Sequence, residues 1–406
     1  MSQTNSPDNL PSHFFVLGRE WRLSLAELLS VFGPERFLGH ADKIAFFARI
    51  SDEEIVSRFS SLGGSVFAGR IDQASLSAKR FDPDSIARFV ALRHGDRTDK
   101  IIFSFSTYPE SSDLFERSLS IKKRLRKVVG EGIAIRSANS DKEGNPSAVP
   151  IRKQGVLEKG HPVVEIRDMS GQFFLAAIIA AQDVDAYTRR DTERVRDMKV
   201  GMLPPKLAQI MLNLAGVEDR VYDPFCGLGT VLIEASARGL QVYGSDVSDA
   251  MVRATRENLA GLGHDAEIDT RIFRLDAARS ADIGDRVPAD TPIATEGTLG
   301  PILSASTISR VRVAEIDEEL ARLYDRFFAG LRQMRWTKRI VVSLPCFRVE
   351  RSDVSASRCI EAFMRHGFVS IPPLPDGLRE PNRRGVLYRR PDQTVGREIF
   401  VLQLRV

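Results

Sequence analysis

From residue 220 onward, short apolar runs alternate with longer segments of helical periodicity. VYDPF, QVYGSD, RIFRLD, TPIATE and RIVVSLP are strand-like, and helical stretches lie between several of them. That alternation predicts an α/β domain with a mainly parallel, doubly wound sheet. FVSIPPL and REIFVLQLRV, near the end, predict a closing pair of strands. The first 180 residues have a different rhythm. HFFVLG (13–18) and KIAFFARI (43–50) predict strands around a helix, SLAELLSVFG, with Ser24 as N-cap, Glu27 three residues on and Gly33 closing it. KIIFSFSTY (100–108), GIAIRSA (132–138), PVVEIRDM (162–169) and QFFLAAIIA (172–180) predict further strands. Between the first two of these, Leu114, Ile121, Leu125 and Val128 recur at helical spacing. They predict an amphipathic helix with a basic outer face.

The punctuation divides the chain. Residues 1–12 form a polar lead, expected to be disordered. Two α+β modules follow, over 13–60 and 61–181. Residues 182–203 are polar and charged and predict a linker. The α/β domain then occupies 204–406. It opens on a helix marked by Pro204 and Pro205, with Leu207, Ile210, Met211 and Leu214 as one apolar stripe and Gly216 at its end. The polar segment 278–292 predicts no element.

Composition narrows the classes. A chain of 406 residues suggests two or three domains. A net charge of +4 is too small to demonstrate a polyanion partner, so local clusters carry that question. One is Lys122, Lys123, Arg124, Arg126 and Lys127; the other is Arg189, Arg190, Arg194, Arg196 and Lys199. Each is either a solvated helix face or part of a phosphate track, and two together favour the track. The three cysteines form no CxxC pair, which argues against a zinc site or disulfide framework and makes a reducing cytoplasm the default. No basic-then-apolar leader opens the chain, and its longest apolar run, 173–181, is too short for a bilayer.

The chemistry concentrates in VYDPFCGLGTVLIEA. Asp223 ends a strand, Gly227 and Gly229 make a tight turn, and Thr230 opens a helix, so backbone can approach a ligand there. An ordinary strand–turn–helix also needs such glycines, and the GxGxxG dinucleotide signature is absent. Two further acids follow at strand ends. Asp246 lies 17 residues past Gly229, near the offset of a ribose-binding acid, and Asp276 could accept from an adenine amine. Three such acids suit an adenosine ligand without pyrophosphate, because Asp223 would repel phosphate and attract a cationic amino-acid group.

At this point the chain resembles the THUMP-containing tRNA guanine-N2-methyltransferases. DPFCGLGT, with GSD and RLDA downstream, looks like the S-adenosylmethionine (SAM) site of class I methyltransferases. GMLPPKLAQIMLNLAG, QDVDAYTRRDTERVRDM and YRRPDQTVGREIFVL are similar to segments of the same family, as is HFFVLGREWRLSLAELLSVFG. The resemblance implies a Rossmann-like class I methyltransferase domain, preceded by a ferredoxin-like module (13–60) and a THUMP RNA-binding module (61–181). It implies SAM as cofactor and tRNA as partner, with no metal and no membrane; an accessory subunit or homo-oligomer stays open. Asp223, Gly227 and Gly229 would cradle the methionine part, with Phe225 and Thr230 of the same turn at the cofactor. Asp246 would bind the ribose and Asp276 the adenine. Lys122, Lys123, Arg126 and Arg190 would contact RNA.

The family's Asp-Pro-Pro-Tyr after the fourth strand is not kept. Glu296 stands for the aspartate, Gly297 and Thr298 for the prolines, and Leu299 for the ring that stacks on the base. Glu296 is therefore the expected catalytic carboxylate and Leu299 the expected base contact. Phe225, Phe347 and Tyr187 are rings elsewhere that could replace the lost one. A plain surface loop with Glu296 in water is the simpler alternative. The position after the fourth strand favours the functional reading. Three activities are open: guanine-amine methylation or methylation of another RNA nucleoside; SAM and tRNA binding without catalysis; and nicotinamide chemistry, which the missing GxGxxG disfavours.

Overall fold

A computed structural model of the chain describes residues 10–138, 151–152, 154–192, 202–261, 268–304, 307–391 and 393–405. The chain divides into two compact units: Met1–Trp21 with Phe32–Ala186, and Arg22–Val31 with Tyr187–Val406. Helix α1 (Trp21–Phe32) starts before the expected N-cap, and Ser24 is buried inside it. Leu23 already belongs to the buried face that continues through Leu25, Ala26, Leu28 and Leu29, so the helix extends back past the serine.

The first unit is built on an eight-stranded sheet of β1 (His13–Leu17), β2 (Phe37–Ala41), β3 (Ile44–Phe47), β4 (Ser65–Ile71), β5 (Ile101–Tyr108), β6 (Ile135–Ser137), β7 (His161–Arg167) and β8 (Phe173–Ala181). Their order is β2-β3-β1-β4-β8-β7-β5-β6. Strand β4, which the sequence pattern did not single out, pairs antiparallel with both β1 and β8 and makes the sheet continuous. Side chains alternate faces along each strand. Val163 and Leu175 join one apolar cluster, while their neighbours Val164 and Phe174 join the other. Helices α2 (Asp52–Phe59), α3 (Pro83–His94) and α4 (Leu114–Val129) belong to this unit, as does a single helical turn at Val156–Lys159. Helix α4 buries Leu114, Ser118, Ile121 and Leu125, but Val128 is 48% exposed. Val129, one position on, packs against the cluster instead.

Helix α5 (Val184–Thr192) lies in the stretch expected to be a linker. In the second unit, α6 (Pro205–Ala215) starts at the expected prolines and ends at Gly216, whose φ is +65°. The sheet comprises β9 (Arg220–Asp223), β10 (Gln241–Asp246), β11 (Ile272–Arg274), β12 (Ile293–Glu296), β13 (Ile340–Val349), β14 (Ser352–Ser355), β15 (Phe368–Ser370), β16 (Val386–Tyr388) and β17 (Val395–Leu404). Its main path runs β11-β10-β9-β12-β13-β17-β15. The pairs from β11 to β13 are parallel, and β17 lies antiparallel between β13 and β15. This is the Rossmann-like sheet of the class I methyltransferase fold, including the closing pair.

Helices α7 (Thr230–Ser236), α8 (Asp249–Ala260), α9 (Arg310–Gln333) and α10 (Ser357–Arg365) flank the strands. Val313, Ile316, Leu320, Tyr324, Phe327, Phe328 and Leu331 of α9 share one apolar cluster with Ile293, Ile340, Val342 and Phe400. Part of the segment without predicted structure, Ala277–Arg286, is 3-10 helix broken at Arg279 and Gly284. A buried polar layer joins α1, α5, α6 and α7 within this unit. Glu234, fully buried, accepts from Arg190 Nε and Nη2 at 2.8 and 2.9 Å and from Gln209 Nε2 at 2.7 Å. Asn213 donates to Glu27 at 2.7 Å and accepts from Arg238 at 2.8 Å. Among the described residues no helix is long and apolar enough to cross a membrane.

Candidate functional site

Strand order reverses between β9 and β12, where the chain leaves β9 for β10 on one side and later returns as β12 on the other. A crevice opens at the carboxyl ends of the strands at such a point. The turn after β9 is pinned to β10: Cys226 N donates to Ser245 O at 3.0 Å and Gly227 N to Asp246 Oδ2 at 3.1 Å. Its two glycines serve different ends. Gly229 has φ +83°, and a Cβ there would meet Thr255 Cγ2 of α8 at 2.9 Å. Gly227 has φ +52°, and its nearest neighbour is Phe225 O at 4.0 Å, so it faces open space.

Four carboxylates end or follow four strands. Asp223 is 2% exposed; its Oδ1 accepts from Thr295 Oγ1 at 2.6 Å and Phe225 N at 3.1 Å. Burial raises its pKa to about 7, against the pull of those two hydrogen bonds. Asp246 also accepts from Ser248 N at 2.9 Å, and Asp276 accepts from Ala278 N at 2.9 Å, capping the 3-10 segment. Glu296 is the last residue of β12. Arg397 of β17 places Nε at 2.9 Å and Nη2 at 2.8 Å from its Oε1, with the Arg397 side chain only 3% exposed. Burial pushes the Glu296 carboxyl upward, and the adjacent guanidinium opposes that shift. Glu296 is thus neither solvated nor unpartnered, which removes the plain surface-loop alternative.

One cavity of about 1110 Å³ gathers these groups. Asp223, Phe225, Gly227, Thr230, Asp246 and Asp276 line it, as do Glu296 and Leu299. Gly229 is not on its wall; its contact is Thr255. Ile302, Leu303, Gln393 and Thr394 also line the cavity. Arg397 also lines the cavity and was missed in the sequence reading. The available signal was a charge pair at the head of the apolar strand segment REIFVLQL.

The other expectations fare differently. Phe347 is fully buried in the core, and Tyr187 is 6% exposed, with Arg190 over its ring at 4.8 Å and Lys206 at 5.6 Å. Neither lines the cavity, whereas Phe225 does. Arg190, expected at RNA, instead directs its guanidinium to Glu234, because that buried carboxylate requires a counter-charge. Lys122, Lys123 and Arg126 lie on α4 in the first unit, Lys122 half-buried and the other two exposed. Arg194, Arg196 and Lys199 lie outside the described residues.

Residues 193–292 match the UPF0020 family model, an RMKL-like methyltransferase domain. Over 135 residues the chain is 36% identical to the tRNA (guanine(10)-N2)-dimethyltransferase of Methanothermobacter thermautotrophicus, covering 32% of this chain and 40% of that protein. The enzyme of the same name from Methanocaldococcus jannaschii is 33% identical over 206 residues, 43% of this chain and 59% of that one. The human U6 snRNA (guanine-N(2))-methyltransferase THUMPD2 is 29% identical over 124 residues, 29% of this chain and 25% of that one. The chain spans about half the length of the first two of these relatives. The stretch that matches the UPF0020, RMKL-like methyltransferase domain thus carries the turn after β9 and the three aspartates at the strand ends, and the chain is similar in sequence to guanine-N2 RNA methyltransferases over part of their length.

Proposed function

We propose that this protein is a SAM-dependent RNA methyltransferase that methylates the exocyclic 2-amine of a guanine in tRNA. One observation carries the reading. Asp223, Asp246 and Asp276, from three adjacent strands, share a cavity with Glu296 from the fourth. The donor set fits the cofactor: a buried acid for a cation, an acid for ribose hydroxyls, an acid for the adenine amine, and Gly227 with no side chain in the way. The volume exceeds the 300–1,000 Å³ of an ordinary small-ligand pocket, leaving room for a base beside the cofactor.

SAM supplies a methyl group on a sulfonium centre, a good leaving group that needs no metal. The chain's own residues bind and orient. Asp223 in its carboxylate form attracts the cationic amino-acid end, and Asp246 and Asp276 hold the nucleoside. Arg397 opposes the upward shift that burial imposes on the Glu296 carboxyl and occupies Oε1, which leaves Oε2 to accept an N–H from the target amine. A carbonyl of the 297–300 loop takes the second N–H. With both hydrogens held, the amine lone pair, otherwise delocalised into the purine, is directed at the methyl carbon. This is catalysis by positioning, with electrostatic help as the amine gains positive charge. Leu299, Ile302 and Leu303 offer an apolar wall to the unstacked base.

Methyl transfer to a tRNA transcript, beside the same transcript with inosine for guanosine, tests the target atom. Inosine lacks only the 2-amine. Transfer to the guanosine RNA alone supports the reading, and equal transfer to both contradicts it. The absence of a ring at Leu299 favours one other activity, binding without transfer. SAM and tRNA binding with no labelled product would be its signature.

A further inference from the structure

The loop TEGTLGP has Gly297 and Thr298 where the resembled family has two prolines, and a second glycine at 300, yet it carries the proposed catalytic carboxylate. The structure shows what faces those glycines. At Gly297 an added Cβ would overlap the Tyr324 hydroxyl oxygen and approach Cζ at 2.8 Å. At Gly300, with φ +85°, a Cβ would meet Ile316 Cγ2 at 2.8 Å and Leu320 Cδ1 at 3.8 Å. Ile316, Leu320 and Tyr324 are spaced four apart, so they form one stripe of α9. Both glycines therefore let the loop backbone lie directly on that helix.

Tyr324 does more than fill space. It is fully buried, and its hydroxyl donates to Thr298 O at 3.2 Å. Its ring lies 6.1 Å from Phe225, which lines the cavity, and 6.5 Å from Phe328. The ring is thus fixed by the core while the hydroxyl holds the loop. We propose that Tyr324 is a positioning residue: through Thr298 and the gap at Gly297 it sets the loop that presents Glu296 and Leu299 to the substrate base. This rests on the function proposed above for the same cavity.

Hydrogen exchange of the 293–304 segment, together with single-turnover methyl transfer and cofactor titration, tests the role. Tyr324→Phe removes one hydroxyl from a packed ring, so the chain stays folded. Exchange at 297–304 should quicken by about 3–10-fold, the equivalent of one hydrogen bond. Exchange in β9 and β13 should be unchanged. Methyl transfer should fall by a similar factor with unchanged cofactor Kd, a split that general destabilisation would not produce. Gly297→Ala should impair transfer at least as much, yet add little to a chain already carrying Tyr324→Leu, because the clash partner is gone. Unaltered exchange at 297–304 in Tyr324→Phe, or a cofactor Kd weakened as much as transfer, would overturn the proposal. A wild-type chain that transfers no methyl to RNA would sink the proposed function instead, and the exchange result would still decide whether Tyr324 holds the loop.

Discussion

Asp223 is a buried acid whose surroundings favour its neutral form. It titrates near 7 in the folded chain, against about 3.9 for a solvated aspartate. The folded state keeps a proton that the unfolded chain has lost. The stability this contributes is complete below the unfolded pKa and is lost as pH rises through about 7. The ligand-free melting temperature should therefore fall from pH 6 to pH 8, and less so in Asp223→Asn. A cationic cofactor prefers the carboxylate, so its affinity should rise over the same interval, and calorimetry should find that rise flattened in Asp223→Asn. Arg397 presents the reverse case. Arg397→Gln leaves Glu296 buried without its partner, at a cost of about 3–5 kcal/mol in unfolding free energy. It should also move the acidic limb of the rate–pH profile to higher pH, because burial then acts on Glu296 unopposed. The two glycines of the turn should separate likewise. Gly229→Ala should destabilise by about 1–3 kcal/mol in urea titration, from its positive φ and Thr255. Gly227→Ala, strained but facing the cavity, should additionally weaken cofactor binding.

Elements explain what the sequence could and could not disclose. Strands β9 to β12 were legible because apolar runs ended in Asp223, Asp246, Asp276 and Glu296, and a parallel sheet aligns such ends. Helix α6 was legible from its prolines and Gly216. Helix α9 was not singled out: its apolar stripe is interleaved with arginines and acids over 24 residues, and the bond from its Tyr324 to Thr298 O is set by packing that no local pattern announces. Strand β4 went unread because glycine and arginine interrupt it. The stretch 182–203 read as a linker because it is highly charged, whereas the fold uses one of those charges, Arg190, against buried Glu234. The polar layer around Glu234 should be essential to the second unit. Glu234→Ala leaves Arg190 without its carboxylate and should cost about 3–5 kcal/mol, measured by chemical denaturation. A loss below 1 kcal/mol would mean that Gln209 and Arg190 find other partners.

In the whole molecule, the carboxylate-lined cavity belongs to the second unit and the basic face of α4 to the first. The exposed Lys123 and Arg126 of α4 are the test positions in the first unit. Reversing both charges should weaken tRNA binding and lower the salt slope by about 2, if each neutralises one phosphate. An unaltered slope would make α4 a solvated face.

The central claim joins the cavity, Glu296 and a guanine amine. Its most direct test is nucleoside mass spectrometry of tRNA from cells with and without the gene. The account predicts that an N2-methylated guanosine disappears with the gene, returns with the wild-type chain, and does not return with Glu296→Ala. An unchanged nucleoside profile, or full restoration by Glu296→Ala, would contradict it.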